Sequence, residues 1–126
     1  MAKTLDNAQY LSFATFRKNG NSVATPVWFA KSDNCIYLFS DPTAGKIKRL
    51  RNFSKSRVAP CDIRGKVLGD WSDTEAFIIN TEEEKQAAYR ALYEKYRWQM
   101  KVLDFFSWLG QKIDKRAFIR VELRAK

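Results

Sequence analysis

Between Leu11 and Ser40 the chain breaks into three strand-length runs separated by tight polar turns, a spacing that points to antiparallel β structure. Leu11-Ser12-Phe13-Ala14-Thr15-Phe16 carries its large apolar groups at odd, then even positions around Ala14. Arg17-Lys18-Asn19-Gly20 follows, and Asn-Gly is a strong hairpin signal because both residues tolerate positive φ. A second strand is expected from about Ser22 to Ala30, a polar turn at Lys31-Ser32-Asp33-Asn34, and a third strand from Ile36 to Ser40. Three sequential strands with short loops make a meander. Pro26 lies inside the second of them. It cannot donate to a sheet ladder, so it implies an edge, a bulge or a place where a ligand approaches.

Asp41-Pro42-Thr43 marks the next turn, and a short helix is predicted from Ala44 to about Asn52. Ile47 and Leu50 share one face of it, flanked by Lys46, Lys48, Arg49 and Arg51. Ser56 to Arg64 returns to β structure, Gly65 and Gly69 punctuate, and Trp71 to Ile79 reads as another strand. Asn80-Thr81-Glu82-Glu83-Glu84 opens a longer helix running to about Arg97, with Thr81 as cap and Glu84 completing a capping box. The three glutamates are a helix-start device rather than a catalytic set, because negative charge suits the positive helix end. Trp98 to Ile113 is aromatic-rich and amphipathic, a candidate further helix, and Phe118 to Leu123 alternates with period two as a closing strand. The sum is a mainly β, α+β fold: six antiparallel strands with two or three helices. Closing the strands into a barrel with helices packed across it removes exposed sheet edges.

The length of 126 residues favours a single domain spanning 1–126. No apolar run approaches the roughly 20 residues of a membrane-spanning helix. Met1 to Asn7 lacks the apolar core of a secretory signal, so a cytoplasmic location is expected. Cys35 and Cys61 are too few for a disulfide scaffold and read as small buried hydrophobes. The chain has no histidine. Metal sets therefore lack their commonest donor, and no Ser-His or Cys-His pair can form. An enzyme built on this chain must borrow its chemistry from a cofactor. The formal charge of +9 favours an anionic partner: a phosphorylated cofactor, nucleic acid or an acidic surface.

The stretch from Phe39 to Arg51 concentrates that charge where a strand ends, a small-residue loop turns and a helix begins. Free N–H groups at a helix start bind phosphate readily, Lys46 adds a point charge, and Arg49 can add a fork one turn on. Ser40 and Thr43 supply hydroxyls. A Walker loop is excluded, since Ile47 follows Gly45-Lys46 and no glycine stands at position 40.

The order of these segments resembles the pyridoxamine-phosphate-oxidase-like flavin split-barrel family, and within it the small deazaflavin-dependent proteins. The resemblance is carried by Tyr10-Leu11-Ser12-Phe13-Ala14-Thr15-Phe16 with Asn19-Gly20, and by Val23-Ala24-Thr25-Pro26-Val27-Trp28-Phe29. It continues through Lys46-Ile47-Lys48-Arg49-Leu50-Arg51-Asn52, Val58 to Lys66, and Ala88, Tyr93, Tyr96 and Phe118 to Leu123. It implies a homodimer with the cofactor in a groove at the subunit interface. It further implies that Thr25, Pro26, Val27 and Trp28 line an isoalloxazine-type ring, and that Phe39, Ser40, Asp41, Lys46 and Arg49 take the phosphate. Lys48, Arg51 and Arg64 are weaker candidates for the phosphate or an acidic tail. Family members often have Asn-Pro after the basic helix, where this chain has Asn52-Phe53.

The expected cofactor is FMN or the deazaflavin F-420, and the expected activity is hydride transfer to a small unsaturated or carbonyl-type acceptor. Trp28, Trp71 and the aromatic C-terminal segment are candidate walls for that acceptor. Two other classes compete: a non-enzymatic cofactor carrier or sensor on the same fold, and a nucleic-acid binder using Arg17-Lys18 and the basic run from Lys46 to Lys55.

Overall fold

The structure is a computed structural model that describes residues 8–32, 35–40, 43–96 and 117–123. Seven strands occur among these residues: β1 (Tyr10–Phe16), β2 (Ser22–Val27), β3 (Phe29–Lys31), β4 (Cys35–Ser40), β5 (Lys55–Cys61), β6 (Ser72–Ile78) and β7 (Ala117–Leu123). Two helices accompany them, α1 (Gly45–Asn52) and α2 (Glu82–Tyr96). The segment from Trp98 to Ile113, expected to be helical, lies outside the described residues.

The strands form one antiparallel sheet in the order β2-β1-β5-β6-β7-β4-β3. Its two end strands are consecutive in the chain, separated by Trp28 alone. One residue spans only about 3.3–3.6 Å, so the sheet has to curl until its ends meet. The barrel is thus closed by covalent continuity and remains split in hydrogen bonding. This also corrects the expected strand count. The run read as one strand from Ser22 to Ala30 divides at Trp28, and its halves pair with different neighbours, β1 and β4.

The β1–β2 hairpin forms at the expected place. Gly20 takes φ +91°, and the Arg17 N–H donates to the Asn21 carbonyl at 2.8 Å. The register Ser12↔Pro26 places the proline on an end strand, which accommodates its missing N–H without further explanation.

Inside the curl, Leu11, Phe13, Val27, Phe29, Ile36, Leu38, Val58, Ala76, Ile119 and Val121 make the core. α1 packs against β1 and β6 and sends Ile47 and Leu50 into the same core. Each such burial stabilises by about 1.5–3 kcal/mol, enough to hold a helix too short to persist alone. α2 covers the outer face of β3, β4 and β7 through Leu92 and Tyr96, packed with Trp28, Phe39 and Phe118.

At the start of α2 the Glu84 N–H reaches the Thr81 hydroxyl at 3.4 Å, as a cap requires. The expected reciprocal contact is absent from the described bonds. Glu84 instead accepts from Arg120 Nη1 at 2.7 and 2.8 Å, a charge-assisted pair that ties α2 to β7. Cys61 is buried as expected, whereas Cys35 is only half-buried; both thiols are free, and burial raises the pKa of each.

Among the described residues no helix is long and apolar enough to cross a membrane.

Candidate anion-binding site at the start of the first helix

α1 begins with Ala44 in extended conformation and no side-chain cap, and its first turn carries no acidic residue. The cap residue itself thus offers the first N–H groups no side-chain acceptor, and the Ile47 N–H donates to the Ala44 carbonyl at 3.1 Å. Two cations gather at this end. Lys46 is half-buried, and its pKa is lowered first by burial and then by the charge of Arg49. The pKa of Arg49 is lowered by burial and by Arg17. Neither Lys46 nor Arg49 forms an ion pair with an acidic side chain among the described residues.

Arg49 is nonetheless held. Its Nε donates to Thr15 Oγ1 at 2.6 Å, and Thr15 is completely buried in β1. Its guanidinium lies back over Gly45, where a Cβ would stand 2.8 Å from Nη1. Thr15, Gly45 and Arg17 were not among the residues expected to form the site. Thr15 sits in an apolar strand run and looks like core, and nothing local links it to a residue 34 positions later. Arg17 follows the hairpin strand and was expected, with Lys18, only as part of the competing nucleic-acid surface.

The other expected site residues fall in three places. Thr25, half-buried, and Pro26, exposed, lie on the end strand β2, while Val27 is in the barrel core. Trp28 turns to α2, stacking on Tyr96 at 4.6 Å and 13° and meeting Phe39 edge-on at 6.3 Å. Phe39 and Ser40 alternate along β4: Phe39 packs in the α2 cluster, and Ser40 is buried on the opposite side. Arg51 is exposed on α1. Arg64 is exposed in a turn whose Asp62 carboxylate accepts the Arg64 and Lys66 N–H groups at 2.9 Å each. Gly65 of that turn, at φ +91°, comes close to Pro26: a Cβ there would lie 3.7 Å from the proline Cδ. Asp41 lies outside the described residues.

The structure thus brings together Lys46 and Arg49, and separately Pro26 with the turn that carries Arg64. It commits Trp28 and Phe39 to holding α2. A surface groove lined by Phe16, Lys55, Ser56, Arg57, Asp73 and Thr74 contains none of the residues expected to bind the cofactor, and only Lys55 of the basic run expected for nucleic acid. Its cations are already engaged, Lys55 over the Phe16 ring and Arg57 beside Asp73 and over Trp71.

A half-buried pair of cations at a helix start whose cap residue supplies no side-chain acceptor suits a phosphate monoester in charge and donor number. The space above Gly45, open only because no side chain is there, is occupied by one of the donors. The donor set fits the phosphate end of a flavin-type cofactor.

No protein-family model matches the chain, and a search of curated proteins returns no match. Solved structures do match it. The chain is similar to HutZ, described as the heme storage protein of Vibrio cholerae, at 10% identity over 96% of this chain and 85% of that one, with a TM-score of 0.70. It is similar to a candidate pyridoxamine 5'-phosphate oxidase from Listeria innocua at 12% identity, 96% and 88% coverage and a TM-score of 0.66. A FAD-binding protein from Mesorhizobium loti matches at 17% identity, 93% and 80% coverage and a TM-score of 0.58. At these identities the likeness concerns the fold, and the chain has the split-barrel α+β fold that these proteins share.

Proposed function

We propose that this chain binds FMN or a related phosphate-bearing flavin or deazaflavin and acts as an oxidoreductase on a small organic acceptor. One observation carries the reading: Lys46 and Arg49 sit half-buried at one helix start, Arg49 near enough to lower the Lys46 pKa, with no acidic partner for either among the described residues. Keeping such a pair unneutralised is unfavourable, and an anion supplied by a ligand relieves it. The described ligand of the Mesorhizobium loti protein, FAD, supports the flavin part.

When bound, the ring supplies hydride chemistry that no side chain of this histidine-free chain can perform. The chain's own work is to anchor and orient. Lys46, Arg49 and the first N–H groups of α1 hold the phosphate, with the Ser40 hydroxyl and the backbone of Asp41 proposed beside them. Thr25, Pro26 and the backbone of Val27 are proposed to border the ring at the end strand, with a second copy of the chain completing the groove. The rigid Asp62–Lys66 turn against Pro26, with Ile63 67% exposed on it, supports a partner surface there. Arg51 and Arg64 remain proposals for an acidic tail. Such a tail would favour F-420 over FMN, and the net charge of +9 is compatible with it.

The test is a titration of purified protein with FMN and F-420 side by side, together with sedimentation. Saturable binding by a dimer supports the reading; no binding of either ring compound removes it. A carrier on the same fold is the second reading, favoured by the likeness to a heme storage protein. It gains if reduced cofactor on the protein is reoxidised by no member of a broad acceptor panel. Nucleic-acid binding would show as steeply salt-dependent association with an oligonucleotide.

A further inference from the structure

We propose that Thr15 and Gly45 are positioning residues that hold the Arg49 guanidinium ready for a phosphate, so that they set the preference of the site for a phosphorylated ring over its unphosphorylated form. The inference rests on the phosphate reading above and adds to it the means by which discrimination is achieved.

An arginine side chain is long and flexible, and its value as an anion ligand depends on how much freedom is already gone before the ligand arrives. Here Nε is tied to Thr15 Oγ1 at 2.6 Å. Thr15 is completely buried, so no water competes freely for that acceptor. Of the five guanidinium N–H donors, the bond uses the one on Nε and leaves the fork of terminal groups available. The fork lies over Gly45, with Nη1 2.8 Å from where a Cβ would be.

Gly45 is not required by its backbone. Among the described residues only Gly20 and Gly65 take positive φ, and Gly45 is an ordinary first helical residue. What it provides is room. An alanine there would compete with the guanidinium for the same volume, and the flexible arginine, not the helix, would give way. The strand thus fixes one end of the guanidinium, while the missing side chain lets the other rest at the helix start beside Lys46. Arg17 adds a third positive charge near Arg49.

The test is a titration of FMN and of riboflavin, which lacks the phosphate, against the full chain and three variants: Thr15→Val, Thr15→Ser and Gly45→Ala. The full chain is expected to prefer FMN. Thr15→Val and Gly45→Ala should each reduce that preference about five- to thirtyfold, the scale of a lost charge-assisted hydrogen bond, with riboflavin affinity nearly unchanged. Thr15→Ser, which keeps the hydroxyl, should retain the preference. Gly45→Ala also guards against a folding artefact, because alanine suits a helix better than glycine and its melting temperature should not fall. If the full chain prefers FMN and both variants do too, the positioning role is overturned while the phosphate reading stands. Parallel loss of FMN and riboflavin binding would mark a merely structural role and also overturn it. A full chain that binds both compounds equally removes the phosphate reading, and this inference with it.

Discussion

Trp28 lies flat on Tyr96, ring centroids 4.6 Å apart and planes 13° from parallel, at the residue where one barrel strand becomes another. The Tyr96 hydroxyl accepts the Phe29 N–H at 2.9 Å and stands 2.8 Å from the Gln9 carbonyl and 3.0 Å from that of Phe29. Next to it, the Lys95 ammonium donates to the Ala8 carbonyl at 3.0 Å and rests 3.4 Å from the Phe29 ring centroid. The last turn of α2 therefore holds the closure of the barrel and the entry to β1 together. Burial raises the Tyr96 pKa, which keeps the hydroxyl a neutral donor and acceptor.

Tyr96→Phe should lower stability by about 1–3 kcal/mol, because it leaves the buried Phe29 N–H without a partner. The aromatic stack survives the change. Thermal denaturation should show the loss while near-ultraviolet circular dichroism retains the tryptophan signature. An unaltered melting temperature would mean that the hydroxyl contributes nothing.

Phe53 closes α1 by donating its N–H to the Arg49 carbonyl at 2.9 Å, at φ −142°. Phe53→Pro removes that donor and asks for φ near −65°. The exit of α1 has to rearrange, and a destabilisation of about 1–3 kcal/mol is expected by chemical denaturation. A variant as stable as the parent would show that the exit adapts freely to the Asn-Pro form of the resembled family.

Lys46→Ala should weaken FMN binding by about 1–3 kcal/mol. The pH dependence follows from the lowered Lys46 pKa. Only the ammonium attracts phosphate, so FMN affinity should fall as pH rises, beginning below the ordinary lysine value of 10.5. Lys46→Ala should flatten that fall in a calorimetric titration series. An identical alkaline profile in both proteins would assign the fall to another group.

Lys95 is exposed overall, but burial of its ammonium lowers its pKa to about 8, from 10.5. Between those two values the unfolded chain holds a proton that the folded chain has released. The Lys95 contribution to stability therefore rises with pH across that window. Comparing Lys95→Met with the parent from pH 7 to pH 10 should show the difference in stability shifting in the parent's favour as pH increases. A constant difference would place the folded pKa at its ordinary value.

Most elements of this fold could be read locally. The alternation around Ala14, the Asn19-Gly20 turn, the Ile47–Leu50 spacing and the Thr81 cap each act within a few residues, and each produced the element it predicts. The cation pair of α1 was equally visible, since Lys46 and Arg49 lie one turn apart. Trp28 was not. The family resemblance made it a candidate to line the ring, and nothing local announced its stack on Tyr96, which comes from a helix 68 positions further along that covers the outer face.

By itself, the amino-acid sequence determined which segments become strands and helices and that the first helix would be basic, because hydrophobic period, turn chemistry and charge are local properties. Only the tertiary structure decided that the second strand divides between two partners, that Thr15 grips Arg49 and that Glu84 serves Arg120 instead of its own helix. Those outcomes depend on how the sheet curls to bring its ends together, and no window of neighbouring residues contains that closure.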